Sequence, residues 1–206
     1  MRRFAFISFV LSLCASSQAA SVAGASDSVS WAPDLIHSRA EFTVAHMVVS
    51  KVWGHIPIRQ MTIVTPPGDP IPTQVAATLD PAHLDTDNRE RDAVLRADTY
   101  FDVGHYPTIA FVSRKIVPKG PMDFIVTGDL SVRNVTRSVT VPMHVVGIVP
   151  DAEGSRVGYT GQLAIDRRDF GITDNTFMSG VLFVGYNVNI VLTVEATTAA
   201  PMPHRT

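Results

Sequence analysis

Cysteine is almost missing from this sequence: Cys14 is the only one among 206 residues. A lone thiol cannot build a disulfide framework or a zinc–thiolate site, so the core must hold without covalent or metal staples. Charge is also scarce, at 17% Asp, Glu, Lys and Arg, with 17 basic against 19 acidic residues. The basic residues are scattered among acidic ones, so the clustered positive footprint that nucleic acid binding needs is missing. No G-x-S-x-G, H-E-x-x-H, phosphate loop or dinucleotide fingerprint occurs, which removes the usual supports for hydrolase, zincin and nucleotide readings. His37, His46 and His55 recur every nine residues, but an odd spacing alternates faces along a strand and favours no shared metal site. Catalytic residues, a metal and a cofactor are therefore not expected, and no internal repeat is evident.

Long apolar runs are missing as well. The clearest one, Phe4 to Leu13, is shorter than the roughly 20 residues that span a bilayer. With Arg2 and Arg3 before it, it reads as the n-region and h-region of a secretory signal peptide. Small residues follow: Ser17 with Ala19, then Ala23 with Ala25, place cleavage near residue 19 or 25. Leu13 is too bulky for lipoprotein processing at Cys14. Cleavage removes the only thiol and leaves 15 basic against 19 acidic residues, about −4 at pH 7. The expected division is a signal peptide over 1–25, one barrel domain over 26–196 and a polar tail over 197–206, with a periplasmic or secreted location.

What the chain does have is a period of two. Ala40, Phe42, Val44 and His46 share one face of a first strand, and Arg39, Glu41 and Thr43 the other. A second strand over Ile56 to Val64 is interrupted by Pro57, which marks an edge or a bulge. Val75, Ala77 and Leu79 form a third, and Ile109, Phe111 and Ser113 a fourth. Phe124 to Leu130, Val139 to Val145 and Val157 to Ile165 continue the series, and Leu182 to Val194 alternates most cleanly. One stretch departs from the pattern. Asp87 as N-cap, Glu90 three residues on, and Ala93, Val94 and Ala97 at helical spacing predict a short helix over 87–97.

Eight antiparallel strands with one short helix make an all-β domain, either a closed barrel or a flattened sandwich. A closed barrel removes sheet edges and encloses side chains or one ligand. An outer-membrane barrel would carry its apolar face outward on strands of about 9 to 11 residues; most strands here read as shorter, and the chain ends on a polar, proline-containing tail.

Four separated motifs then carry a resemblance. They are Trp31-Ala-Pro-Asp34 with His37-Ser38, Phe42-Thr-Val44-Ala-His46 and Gly54; Arg91-Asp92-Ala-Val-Leu95-Arg96 with Tyr100-Phe101-Asp102-Val103 and Tyr106-Pro107-Thr-Ile-Ala-Phe111; Thr127-Gly128-Asp129-Leu130 through Thr140; and Arg168-Asp169-Phe170-Gly171-Ile172. Their order and spacing resemble the YceI family. The resemblance implies an eight-stranded lipocalin-like barrel whose apolar tunnel carries polyisoprenoid lipids, and it brings no catalytic reaction. Asn134 stands where the family hairpin has Gly, and asparagine tolerates the left-handed turn expected there. Val94-Leu95-Arg96-Ala97 replaces the family's His-Leu-x-Ser, taking two polar side chains off the helix.

The expected function is a non-catalytic carrier of a long apolar lipid, such as a polyisoprenoid or an isoprenoid quinone precursor. The alternative is an interaction or stress protein with a filled barrel and no lipid. The expected partner is a hydrophobic ligand, with a homodimer and transient contact with a membrane or a lipid-handling protein as further candidates. By strand parity, Phe42, Val44, Phe111, Phe124, Val126, Met143, Tyr159, Val184, Tyr186 and Val188 should face the ligand. His46, Arg91 and the loop from Asp174 to Ser179 are candidates for its head group, although His46 reads more readily as a core histidine, and Arg91 with Asp92 more readily as a helix-to-barrel ion pair.

Overall fold

A computed structural model describes residues 28–151, 154–175, 177–178 and 181–198. The expected signal peptide and the last eight residues lie outside that set. The strands are β1 (Val29–Pro33), β2 (Arg39–His46), β3 (Ser50–Ile56), β4 (Ile58–Thr65), β5 (Gln74–Leu79), β6 (Ile109–Pro118), β7 (Asp123–Val132), β8 (Val135–Asp151), β9 (Gly154–Asp166), β10 (Phe177–Met178), β11 (Val181–Leu182) and β12 (Val184–Thr198). One α-helix, α1 (Arg89–Arg96), and two 3-10 turns, Pro81–His83 and Arg167–Phe170, complete the elements among the described residues.

The sheet closes on itself. Neighbours run β1-β4-β5-β6-β7-β8-β9-β12, and β1 returns to β12 through Ala32 opposite Thr197. Both β1 and β2 pair with β12, and both β4 and β3 pair with that line from the other side. Each couple is thus one long strand broken once, at Asp34–Ser38 and at Pro57, and the architecture is a closed antiparallel barrel of eight strands. Proline explains the second break, since it has no N–H to give the ladder. The sequence reading placed one strand over Ile56 to Val64; instead two meet at Pro57, and β3 supplies a stretch that the irregular pattern around Trp53 and Gly54 concealed.

Several strands are longer than alternation suggested: β8 has 17 residues, β12 15 and β9 13. Strand length therefore does not separate this barrel from an outer-membrane one. The polarity of its faces does, because along β12 Val188, Ile190, Leu192 and Val194 line the interior while Asn187, Asn189, Val191 and Thr193 are exposed. The strand also runs to Thr198, so residues 197 and 198 belong to the barrel and not to a tail. Leu182 lies on the separate β10–β11 pair.

Apolar packing concentrates at the two ends. At one, Trp31, Ile63, Ile71, Phe124, Tyr159 and Val194 form a cluster. It is closed by Trp31 Nε1 donating to Thr65 Oγ1 at 3.0 Å and Tyr159 Oη donating to the Pro70 carbonyl at 2.8 Å. At the other, Ile56, Leu84, Ile109, Val132, Phe170 and Ile172 pack beneath the helical segments.

Two local expectations change. The helix begins at Arg89, capped by Asn88 Oδ1, which accepts from Arg91 N. Asp87 is not the cap: it takes a left-handed conformation, φ 59°, with its N–H on Asp85 Oδ1. The buried side is set by Asp92 and Leu95, whereas Ala93, Val94 and Ala97 are exposed. In the β7–β8 hairpin it is Arg133, φ 55°, that sits left-handed, not Asn134. A positive φ at the first central residue only is the II′ pattern, which suits the twist of flanking strands.

Candidate functional site

Between the two clusters lies a cavity of about 250 Å³ whose walls come from every long strand, from Leu95 on α1, and from the Tyr100–Phe101 and Phe170–Ile172 segments. Its lining is apolar almost throughout; among the described residues, Glu41, which is exposed, and Arg167, which is buried, are the only charged ones in it. Alternation produces this directly, because every second residue of a closed barrel points inward. The volume is close to the lower bound of small-molecule pockets.

Phe42, Val44, Phe111, Phe124, Val126, Met143, Tyr159, Val184 and Val188 all line the cavity, as parity predicts. Tyr186 does not. From His46 to Val44 β2 advances two residues while its partner β12 advances four, from Val184 to Val188. Tyr186 falls in that bulge, where its ring meets the guanidinium carbons of Arg168 at 4.1 Å and Arg167 at 5.0 Å.

His46 also lies outside the lining, at the rim. Its ring packs edge-on against Phe183, centroids 4.8 Å apart, and its Nδ1 is 3.5 Å from Ser50 Oγ. Arg91 is likewise outside. Its Nε donates to Thr86 Oγ1 at 2.8 Å and its Nη2 to the Thr86 carbonyl. Buried Asp92 accepts from the same residue, from Thr86 Oγ1 at 2.6 Å and Thr86 N at 3.0 Å. The pair therefore ties α1 to residues 85–86, which bridge to β3 through His55 and Asp85; Arg91 and Asp92 meet on Thr86 in place of pairing with each other. Within the loop from Asp174 to Ser179, Asn175 holds β12, its Nδ2 on the Val184 carbonyl at 2.8 Å and its Oδ1 accepting from Val184 N at 3.2 Å.

Arg167 is the functional candidate that the sequence reading missed. A signal for it existed: Val157, Tyr159, Gly161, Leu163 and Ile165 set the inward parity of β9, and Arg167 is the next residue on that parity. Its charge ended the apolar pattern, yet it is only 5% exposed. Beside it Tyr100 is half-buried, and burial raises its phenol pKa above the ordinary value, with the Arg167 charge opposing and Asp174 adding. Burial raises the Tyr159 phenol as well.

One other polar group is compact. Asp34, His37 and Glu195 place ligand-type atoms within 4.8 Å of one another. Arg156 binds both carboxylates, Asp34 at 3.1 Å and Glu195 more closely, so a protein cation already serves this cluster.

The YceI-like domain family matches residues 31–196, nearly the whole described barrel. The chain belongs to that family. A UPF0312 protein of Shewanella denitrificans is 31% identical over 137 residues, covering 66% of this chain and 72% of the relative. Among solved structures, Burkholderia cenocepacia BcnA superposes with a TM-score of 0.63 at 22% identity, over 80% of this chain and 99% of that one. A polyisoprenoid-binding domain from Saccharophagus degradans superposes with a TM-score of 0.59 at 11% identity, over 82% of this chain and 99% of its own. The YceI-like barrel is thereby established as the fold.

Proposed function

We propose that this YceI-family barrel is a non-catalytic carrier of a long apolar lipid, of the polyisoprenoid or isoprenoid quinone precursor class, working outside the cytoplasm. The observation that carries the reading is the continuous apolar cavity running between the two end clusters. A solved relative in fold that is named for polyisoprenoid binding adds support. At about 25 cal/mol per Å², removing several hundred Å² of lipid surface from water favours binding by roughly 5 to 10 kcal/mol before ordering costs. No nucleophile–base pair is needed for that role, and none is assigned. The location rests on Arg2-Arg3 and the short apolar run after them; intact mass of the exported protein tests it, and a product still carrying Met1 and Cys14 would contradict it.

Mass spectrometry of an organic extract of the purified protein tests the cargo. Val188→Trp projects an indole into the cavity and should leave a folded barrel with little lipid. Thr193→Trp, on the exposed face of the same strand, should retain it. Equal lipid in both variants would reject the cavity as the binding site, and an empty wild type would favour the filled-barrel interaction protein.

A further inference from the structure

Arg167 is a buried cation, with no carboxylate among the described residues paired to it. It donates from Nε to the Gly185 carbonyl at 3.0 Å, from Nη1 to that of Ile172 at 2.8 Å and from Nη2 to that of Val184 at 3.3 Å. Those carbonyls satisfy three of the five N–H groups a guanidinium offers and leave one on each terminal nitrogen. Among the described residues no carboxylate comes within ion-pair distance of it. Buried charges are normally paired, because partial dipoles replace lost hydration incompletely. The rings of Tyr186 and Tyr100, 5.0 and 5.9 Å from its central carbon, spread the charge but do not neutralise it.

The surroundings add a second donor. Tyr100 lines the same cavity, and its hydroxyl has no hydrogen-bond partner among the described residues. Both residues therefore sit in the wall of a mostly apolar chamber, at the end closed by Phe170 and Ile172. A purely structural latch explains the three carbonyl bonds. It explains neither the missing counter-charge nor the idle phenol.

We propose that Arg167 and Tyr100 form a head-group subsite for a single-chain lipid ending in an oxyanion, a carboxylate or a phosphate. The inference rests on the carrier reading and specifies its ligand. An oxyanion would supply the missing negative charge and accept from the two remaining guanidinium N–H groups and the Tyr100 hydroxyl. Charge-assisted bonds of this kind are about twice as strong as neutral ones, and arginine matches carboxylate and phosphate geometry. The chain of such a lipid would then run along the cavity toward Phe124 and Tyr159.

Displacement of the neutral fluorophore N-phenyl-1-naphthylamine from delipidated full-length protein tests this, with matched pairs: oleate against oleyl alcohol, and geranylgeranyl phosphate against geranylgeraniol. In the wild type at least one acid should displace the probe at about tenfold lower concentration than its alcohol, a difference of about 1.4 kcal/mol, and the better pair identifies the oxyanion. Arg167→Gln should bring acid and alcohol within about threefold of each other, mainly by weakening the acid. Tyr100→Phe should reduce the preference by a smaller factor, and it decides the matter if Arg167→Gln fails to fold. Acetate and inorganic phosphate, which lack a chain, should leave the probe bound; displacement by either would overturn the lipid head-group assignment. Equal competition by acids and alcohols in the wild type would overturn the subsite and leave the carrier reading intact. Failure to bind the probe or any of the lipids would reject the carrier reading itself.

Discussion

Trp31 Nε1 donates a 3.0 Å hydrogen bond to Thr65 Oγ1, and both residues are almost wholly buried, at 2% and 0% exposure. The bond joins β1 to β4 where the barrel closes. Trp31→Phe removes the donor and strands a buried hydroxyl, so a loss of about 1–3 kcal/mol is expected, with a further contribution from the volume removed. Urea unfolding should show the midpoint falling with an unchanged slope. Adding Thr65→Val to Trp31→Phe should recover part of the loss, because the stranded group is then gone. A double variant no more stable than the single one would assign the whole effect to packing.

Gly54 has no room for a side chain. A Cβ there would lie 2.6 Å from Phe42 Cζ, 2.6 Å from Thr86 Cγ2 and 2.9 Å from the Asp85 carbonyl oxygen. The last contact is backbone, held by the pairing of His55 with Asp85, so it cannot yield cheaply. Gly54→Ala is expected to destabilise by about 1–3 kcal/mol. It should also speed hydrogen exchange at the His55 and Asp85 amides more than at those of β9. Uniform acceleration across the barrel would show that the contact with residues 85–86 is not where the strain lands.

That close approach illustrates what could be read from the sequence and what could not. Alternation placed the interior of β12 and β9 correctly, because a strand buried on one side must repeat every second residue. The same rule, continued one step past Ile165, reaches Arg167. It failed at Tyr186, which lies in a bulge; the mark of it in the sequence was Gly185, since an isolated glycine inside a strand pattern points to a bulge or a close backbone approach. Pro57 announced a break, but only pairing shows that β3 and β4 are two halves of one line. Asp87 and Asn88 are both good caps, and the choice between them came from Asp85, whose carboxylate draws the Asp87 amide into a turn.

The β2–β3 hairpin stores strain at its tip. Met47 and Val48 both have positive φ, 48° and 65°, and Val49 N closes the turn on the His46 carbonyl at 3.2 Å. Two left-handed central residues define a I′ turn, which favours Asn-Gly; a β-branched valine is poorly suited to it. Val48 is also 79% exposed, so its side chain gains little from packing. Val48→Gly should therefore stabilise the barrel by about 1 kcal/mol, and Met47→Asn with Val48→Gly by somewhat more. Thermal unfolding checks this. A fall in stability for Val48→Gly would mean that the exposed valine contributes more than its backbone strain removes.

Asp34 and His37 face each other at 2.9 Å across the break between β1 and β2. The bond to His37 is the largest influence lowering the Asp34 carboxyl from 3.8 to about 2, and the bond to Asp34 is the largest raising the His37 imidazole above 6.5. Asp34, lowered on folding, contributes stability that is full above pH 3.8 and is lost as pH falls toward 2. His37, raised on folding, contributes stability that is full below pH 6.5 and is lost as pH rises through its folded value. The two windows overlap between about pH 4 and 6.5, where the pair should contribute most. The difference in urea midpoint between wild type and Asp34→Asn, measured against pH, should therefore form a plateau in that range and shrink on both sides. Because the pair is partly exposed, 1 M salt should flatten it. His37→Ala should remove the alkaline shoulder while leaving part of the acid one, since Arg156 still holds the Asp34 carboxylate. A difference that does not vary between pH 3 and 8 would show that Asp34 acts through its backbone bonds to Ile36 and His37 and not through its charge.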